Sequence, residues 1–289
     1  MKIHRHLLAL AAVLMTALSL CAQSLDDLTR QQARDLLKTS FNAVDDAALA
    51  EKIDSQYGLP VSSMQCGISG DSVLIMSFVV PGYEADPTPA GRAYTEVCLS
   101  SGGRRMGRSM TEAVCALLGK AGYNVRVVYS DGGTKRQTLY LTPSRLKSIW
   151  TEPLPDSGID PALAREGFIR SLGTADIPVE IESGGYFKSA KLKVNGNWLD
   201  VIYIPNADAG YYDDPALMQI YKEVLNEEKN QFISDMASDA FLRNYSDIMS
   251  NASEFLGVDG LKVKIMASDG EAYLMFPVTW DDMARLRQN

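Results

Sequence analysis

The sequence has almost no histidine. Its two histidines, His4 and His6, lie in a stretch that begins with basic residues, continues with an apolar run and ends in small residues. This pattern predicts a secretory signal peptide, residues 1–22. Cleavage after Ala22 would leave no histidine in the mature chain. A Ser-His-Asp or Cys-His relay, a histidine-ligated zinc and a histidine general base are then excluded.

Long apolar runs are also missing after the signal peptide, since the longest covers only residues 73–80. No membrane span is therefore expected after cleavage. We expect export to the periplasm or secretion, and the Gln23 that cleavage would expose resembles the start of exported bacterial proteins. Lipid attachment at Cys21 would instead give an outer-membrane lipoprotein, but the large Leu20 before it disfavours this alternative.

Positive charge is scarce in the second half. Residues 151–289 carry 12 basic and 23 acidic side chains, and the formal net charge of the whole chain is −8. Because such a surface repels phosphate backbones and anionic lipids, nucleic acid and direct binding to a membrane surface are disfavoured. The alternative interpretation is that the acidic residues only keep the protein soluble.

Cysteine is too scarce for a disulfide framework. Three cysteines follow the signal peptide, and an odd number cannot pair completely. Cys98 and Cys115 could form a disulfide in an oxidising compartment if neighbouring helices bring them together. The alternative is that Cys66, Cys98 and Cys115 are all small buried apolar side chains.

The chain contains an internal repeat. Residues 118–132 and 256–270 share seven of 15 positions at a constant offset of 138, and shorter matches precede them in the same order. A repeat of this extent predicts a duplicated domain. We therefore predict a first copy at 23–151 and a second at 152–289, joined by the proline-rich segment 152–155.

Each copy is predicted to be an α-ββ-α-ββ(α) unit. The first helices span Leu28 to Phe41 and Pro161 to Leu172, and the first hairpins turn at Gly70-Asp71 and Asn195-Gly196. The fold class is α+β, with two tandem copies of an antiparallel sheet and helices packed on one face.

The second half of each unit carries its own local signals. Gly119 and Gly257 are expected to end helices. Second hairpins should turn at Asp131-Gly132 and Asp269-Gly270, which gives both aspartates a structural role. Thr142 and Thr279 are expected to cap short final helices.

The first candidate site is the acidic, aromatic loop at 205–215. Its oxygen ligands could hold Ca²⁺, and tyrosines beside carboxylates could bind a sugar or a peptide. The alternative is a solvated loop before an acidic helix start. The candidate ligand-binding residues are Asp208, Tyr211, Tyr212, Asp213 and Asp214.

The second candidate site is the glycine- and arginine-rich segment 101–109. Arg104, Arg105 and Arg108 could clamp a carboxylate, sulfate or phosphate at a helix start. The alternative is a flexible connection between two helices. The second copy has no matching arginines, so the two copies cannot share such a role.

These observations predict a non-enzymatic, exported protein of the bacterial envelope that binds a protein, peptide or glycan. No catalytic residue, metal site or cofactor is assigned. The alternative is a carboxylate-based hydrolase or a Ca²⁺-dependent glycan binder centred on Asp208–Asp214, because paired carboxylates can hydrolyse glycosides without histidine.

Overall fold

The computed structural model divides the chain into two compact units, Met1–Ser171 and Leu172–Asn289. It describes residues 25–42, 63–70, 72–79, 85–134, 136–172, 187–205, 252–266 and 272–286, with scattered residues between 216 and 250. The predicted signal peptide lies outside these residues. Within them, no helix combines the length and the apolar character needed to cross a membrane.

The first unit contains five helices and four strands among its described residues, preceded by a short 3-10 turn at Leu25–Asp27. In chain order they are α1 (Arg30–Asn42), β1 (Ser63–Ser69), β2 (Val73–Val79), α2 (Pro89–Met106), α3 (Arg108–Ala121), β3 (Asn124–Ser130), β4 (Arg136–Leu141), α4 (Pro143–Thr151) and α5 (Pro161–Ser171).

The second unit contains two hairpins and a final helix. Its elements are β5 (Phe187–Asn195), β6 (Trp198–Pro205), β7 (Gly260–Met266), β8 (Ala272–Thr279) and α6 (Trp280–Leu286), with a short helical stretch at 252–256 before β7. The α+β fold class with two sheet-containing units is confirmed. The domain limits predicted from the repeat stay a prediction.

The two sheets have the same topology. Their strand orders are β1-β2-β3-β4 and β5-β6-β7-β8, and each hairpin is antiparallel. The two central pairs, β2 with β3 and β6 with β7, are parallel. The prediction of a fully antiparallel sheet is therefore wrong for the central strand pair. A long crossover joins the central strands of each sheet and returns the chain to the same end, which parallel pairing requires.

Buried and more exposed side chains alternate along the central strands, and the buried ones form the core of each unit. In the first unit Leu74, Met76 and Phe78 of β2 are buried, and Phe78 stacks on Tyr129 of β3 with ring centroids 5.4 Å apart. In the second unit the buried positions alternate in the same way. They are Leu199, Val201 and Tyr203 of β6 with Leu261, Val263 and Ile265 of β7.

The predicted caps of the two final helices are confirmed. Thr142 accepts a hydrogen bond from the Arg145 amide at 3.1 Å. Thr279 and Asp282 form a reciprocal capping box, in which each side chain accepts from the other's backbone amide. Hydrogen bonds from the side chain and backbone of Thr279 lower the pKa of the Asp282 carboxyl.

The end of α3 differs from the prediction. The helix runs past Gly119 and ends at Gly122, which has φ 70°. Arg30 and Arg34 of α1 donate hydrogen bonds to the Ala121 carbonyl over 3.4 Å and 2.9 Å. The two arginines thus provide hydrogen-bond donors for a carbonyl at the C-terminal end of α3, where the helix dipole favours positive charge.

Two helical glycines allow close packing. A Cβ on Gly103 of α2 would lie 2.3 Å from Cγ of Trp150, and one on Gly167 of α5 would lie 2.1 Å from the Ala90 carbonyl oxygen. Both distances are shorter than any real contact, so these positions require glycine. Beside Gly167, Phe168 packs on Tyr94 with ring centroids 5.4 Å apart.

The segment predicted as a linker is packed within the first unit. Leu154 and Ser157 are buried, and Ser157 donates a hydrogen bond to the Leu154 carbonyl at 2.7 Å. Arg145 of α4 bonds both the Ser157 carbonyl and the Glu96 carboxylate of α2. These bonds tie α2, α4 and the 153–158 turn together.

We predict opposite effects for two glycine-to-alanine substitutions. Gly167→Ala should lower the free energy of unfolding by about 1–3 kcal/mol, because the new methyl group meets the backbone of α2. The matched control Gly119→Ala should raise it by up to about 1 kcal/mol, since the nearest atom is 3.9 Å away and alanine favours the helix. Urea unfolding of both variants measures this, and equal effects would contradict the packing.

Candidate functional site: the open face of the second sheet

The predicted acidic site cannot be placed. Asp208, Tyr211, Tyr212, Asp213 and Asp214 all lie outside the described residues. In the part of the chain that the structure describes, no three histidine, cysteine, aspartate or glutamate side chains come together as metal ligands would.

The predicted arginine site lies in and between helices rather than in a loop. Arg104 and Arg105 belong to the last turns of α2, and Gly107 alone separates α2 from α3. Arg108 begins α3, is exposed and forms an ion pair with Glu112 one turn later, at 3.2 Å. The connection between the two helices is therefore shorter than expected, because residues 101–106 are helical and Gly103 packs closely on Trp150.

The cysteines proposed as a pair are both free thiols in the structure. Cys98 on α2 and Cys115 on α3 are buried, and Cys66 on β1 is partly buried. Burial raises the pKa of the Cys98 thiol well above its usual value and that of Cys115 to about 12. Such thiols stay protonated and unreactive in the folded protein.

Four lysines lie together on the second sheet, and none of them was among the predicted site residues. Lys191 and Lys193 alternate with Leu192 on β5, and Lys262 and Lys264 alternate with Val263 on β7. Leu192 and Val263 are buried, so the lysines project from the opposite face. Lys191 and Lys193 are exposed, and Lys262 and Lys264 are partly buried.

Strand register brings the four lysines together around β6. Lys193 pairs with Asp200, which pairs with Lys262 on the other side, and Ile202 lies in the same way between Lys191 and Lys264. Strand spacing puts the two rows of lysine Cα atoms about 10 Å apart, with about 7 Å between neighbours in a row. We call this surface, with Trp198 and Asp200, the lysine face.

A buried carboxylate anchors the lysine face. Asp200 is only 2% exposed, and its Oδ2 accepts from Lys264 Nζ at 2.5 Å and from Asn195 Nδ2 at 3.3 Å. Its Oδ1 has no hydrogen-bond partner among the described residues. Asp200 neutralises Lys264, and the exposed Lys193 adds positive charge on the same face.

An aromatic side chain completes the lysine face. Trp198 starts β6 and shares the face of Asp200, and Lys262 Nζ lies 5.4 Å from its ring centroid. Trp198 is partly exposed, whereas the other two tryptophans, Trp150 and Trp280, are buried. It is therefore the tryptophan that a ligand could reach.

The first sheet has no equivalent of the lysine face. Strands β1 to β4 contain no lysine, and the matching face of β2 carries Val73, Ile75, Ser77 and Val79. Its neighbours include Arg126 on β3, which lies over the ring of exposed Tyr140 on β4. The two units thus share topology and differ in the chemistry of this face.

Sequence reasoning missed the lysine face although a signal was present. The pattern Lys-apolar-Lys occurs in both Lys191–Lys193 and Lys262–Lys264, and strand alternation puts each pair on one side. The acidic average of residues 151–289 concealed it, because a sum of charges contains no information about which face they occupy.

Comparisons with known proteins provide no relative on which to base a function. No protein-family description, no curated protein and no solved structure matches the chain. The case for this site therefore rests on the geometry and charge of the lysine face.

We predict that the mature protein, purified without reductant, has three titratable thiols once unfolded in guanidinium. In native buffer Cys98 and Cys115 should not react with a thiol reagent, because both are buried and protonated. A count of one thiol after unfolding would instead show that two of the three cysteines form a disulfide.

We also predict that Lys264→Met lowers the free energy of unfolding by about 3 kcal/mol, because the buried Asp200 carboxylate loses its ion pair. The control Lys193→Met, on the same face but exposed, should change it by less than about 0.5 kcal/mol.

The double variant Asp200→Leu with Lys264→Met should recover most of the loss, since no charge is left buried. Chemical denaturation of the three variants tests this. Equal losses for Lys264→Met and Lys193→Met would contradict a structural role for the pair.

Proposed function

We propose that this protein is a non-enzymatic binding module of the bacterial envelope, exported by its signal peptide, and that the lysine face holds an acidic partner. The observation that carries the proposal is the array of four lysines around Asp200. Ammonium groups gathered on one face of a sheet attract anions.

The lysines suit recognition of single anionic groups. Each ammonium is a compact charge with three donors on a flexible stem, whereas arginine would favour bidentate pairing. Lys191 and Lys193 are exposed enough to meet a partner directly. Lys264 is bound to Asp200 and acts mainly as a support for this surface.

Local charge outweighs the acidic average at this surface. The screening length at physiological ionic strength is about 8 Å, so exposed charges farther than this from a lysine are largely screened from it. The rows of lysines are only about 10 Å apart and act together on one ligand. An acidic protein can in this way present one anion-binding surface.

A catalytic role receives no support from the lysine face. Its one carboxylate, Asp200, is buried and bound to Lys264 and Asn195. Glycoside hydrolysis needs two carboxylates in reach of one bond. Among the described residues the lysine face offers a charge array and an aromatic ring, which fit binding rather than turnover.

The test is binding of the mature protein to two polyanions, polygalacturonate and poly-L-glutamate, by calorimetry at low and physiological salt. We expect saturable binding to at least one, weakened about tenfold or more in Lys191→Glu/Lys193→Glu. The control Arg136→Glu/Lys147→Glu reverses two exposed charges of the first unit and should bind like the unchanged protein.

Two outcomes would overturn the proposal. One is the absence of binding to either polyanion at low salt. The other is an equal loss of affinity in both double variants, which would mean that net charge rather than the lysine face determines binding. The polyanions should also keep their chain length after long incubation, and shortening would indicate an enzyme.

A further inference from the structure

We infer that β4, an outer strand of the first sheet, pairs with β4 of a second copy of this chain, so that the two sheets join across a twofold axis at Thr138. This interface belongs to the first unit and is independent of the lysine face. Three observations carry it: the position of β4 in its sheet, its contrast with the equivalent strand of the second sheet, and the order of its side chains.

β4 lies at the edge of its sheet and carries an exposed aromatic side chain. It pairs with β3, and no other strand pairs with it within the described residues. The outer backbone groups of an edge strand can pair with a strand of another chain. Tyr140 is 68% exposed although Arg126 lies over its ring, and no other large apolar side chain in the described part of the chain is as exposed. β4 therefore offers a partner both backbone groups and an aromatic side chain.

The edges of the second sheet carry features that disfavour strand addition, and β4 lacks them. β8, the strand equivalent to β4, contains Pro277, which has no N–H to donate, and its pairing with β7 shifts register after Ile265. β5, at the other edge, contains three lysines. Lysine, proline and bulges are common means by which edge strands avoid pairing with other chains. β4 contains neither lysine nor proline, and it pairs with β3 in continuous register, so its edge remains suited to pairing.

The other edge of the first sheet is less suited to such a contact. β1 contains Gly67, which has no side chain to pack across strands, and α1 contacts this strand. Its exposed side chains are those of Ser63, Gln65 and Ser69, which are small or polar. We therefore assign the contact to β4, and β1 provides the control edge.

The order of side chains along β4 complements a second copy of the same strand. Arg136, Thr138 and Tyr140 alternate with buried residues and share the outer face. In antiparallel pairing centred on Thr138, this threonine lies opposite its own counterpart, and Arg136 lies opposite Tyr140 of the other copy. Threonine pairs are favourable in sheets, and no like charges face each other. The same pairing occurs on both sides of the axis, so the contact closes after two copies and keeps both core faces on the same side.

Sedimentation equilibrium of the mature protein in reductant tests the pairing. We expect a monomer–dimer equilibrium with a dissociation constant of about 10–500 µM, because one strand pair buries less than the ~1,200 Å² of a stable interface. Thr138→Glu puts two carboxylates directly opposite each other and should raise this constant at least about tenfold. The control Gln65→Glu adds the same charge on the outer face of β1 and should leave the constant unchanged. Equal strand content in circular dichroism shows that both variants are folded.

Disulfide cross-linking tests the position of the axis. The background is Cys66→Ala, in which the remaining thiols of Cys98 and Cys115 are buried. Thr138→Cys should form a covalent dimer on mild oxidation, because the two substituted positions face each other across the axis. The control Gln65→Cys, on the opposite edge of the sheet, should remain monomeric.

A mixing experiment tests the register. Arg136 and its counterpart in the other copy would lie about 13 Å apart along the strands, and the same holds for Tyr140, which is beyond the reach of a disulfide. Arg136→Cys and Tyr140→Cys should therefore not cross-link separately, whereas a mixture of the two should give the mixed dimer. Mass spectrometry identifies the linked species.

Three outcomes would overturn the inference. Monomeric protein at every concentration would exclude a second copy as the occupant of this edge. A dimer that Thr138→Glu and Gln65→Glu weaken equally would place the contact elsewhere. Cross-linking of Gln65→Cys as fast as Thr138→Cys would indicate random collisions. None of these results bears on the lysine face, which polyanion binding tests through variants of the second unit.

Discussion

Each sheet depends on one parallel strand pair. The pairing of β2 with β3, and of β6 with β7, joins two local hairpins into a single four-stranded sheet. The register of that pair decides which residues share a face. In the second unit it puts Asp200 beside Lys262 and turns Leu199 and Val201 toward the core. A slip by one residue would bury lysines and expose the core, so the fold and the lysine face depend on the same register.

The two units show how one topology can carry different surfaces. Their buried positions alternate in the same way, whereas the opposite face carries valine, isoleucine and serine on β2 and Trp198, Asp200 and Ile202 on β6. A strand residue that faces away from the core is free to change without altering the sheet. The stability of the second unit nevertheless depends on its outer face, because Asp200 is buried there and needs Lys264.

Local signals were predictable from the sequence, and relations between distant segments were not. The capping threonines Thr142 and Thr279 act through neighbouring residues, and the structure confirms them. The first hairpin of the second sheet turns at Gly196 and Asn197, one residue later than the predicted Asn195-Gly196. The parallel pair joins strands separated by helices, so no local pattern reveals it.

The repeat also gave one wrong local prediction. Gly119 aligns with Gly257, yet Gly257 follows the 252–256 helix with φ 64° while Gly119 lies inside α3. The two aligned glycines therefore have different structural roles. For the candidate site, the lysines could be seen as two alternating pairs, but only the register places them around Asp200.

The arginines that cap α3 link the stability of one helix to the presence of another. Arg34 and the Ala121 carbonyl are 87 residues apart, so the cap forms only after a long loop has closed. Until α1 docks, the last turn of α3 has one carbonyl oxygen without these partners and should fray readily. Opening of α1 would therefore loosen the turn that leads into β3, which couples α1 to the cooperative unit that contains the first sheet.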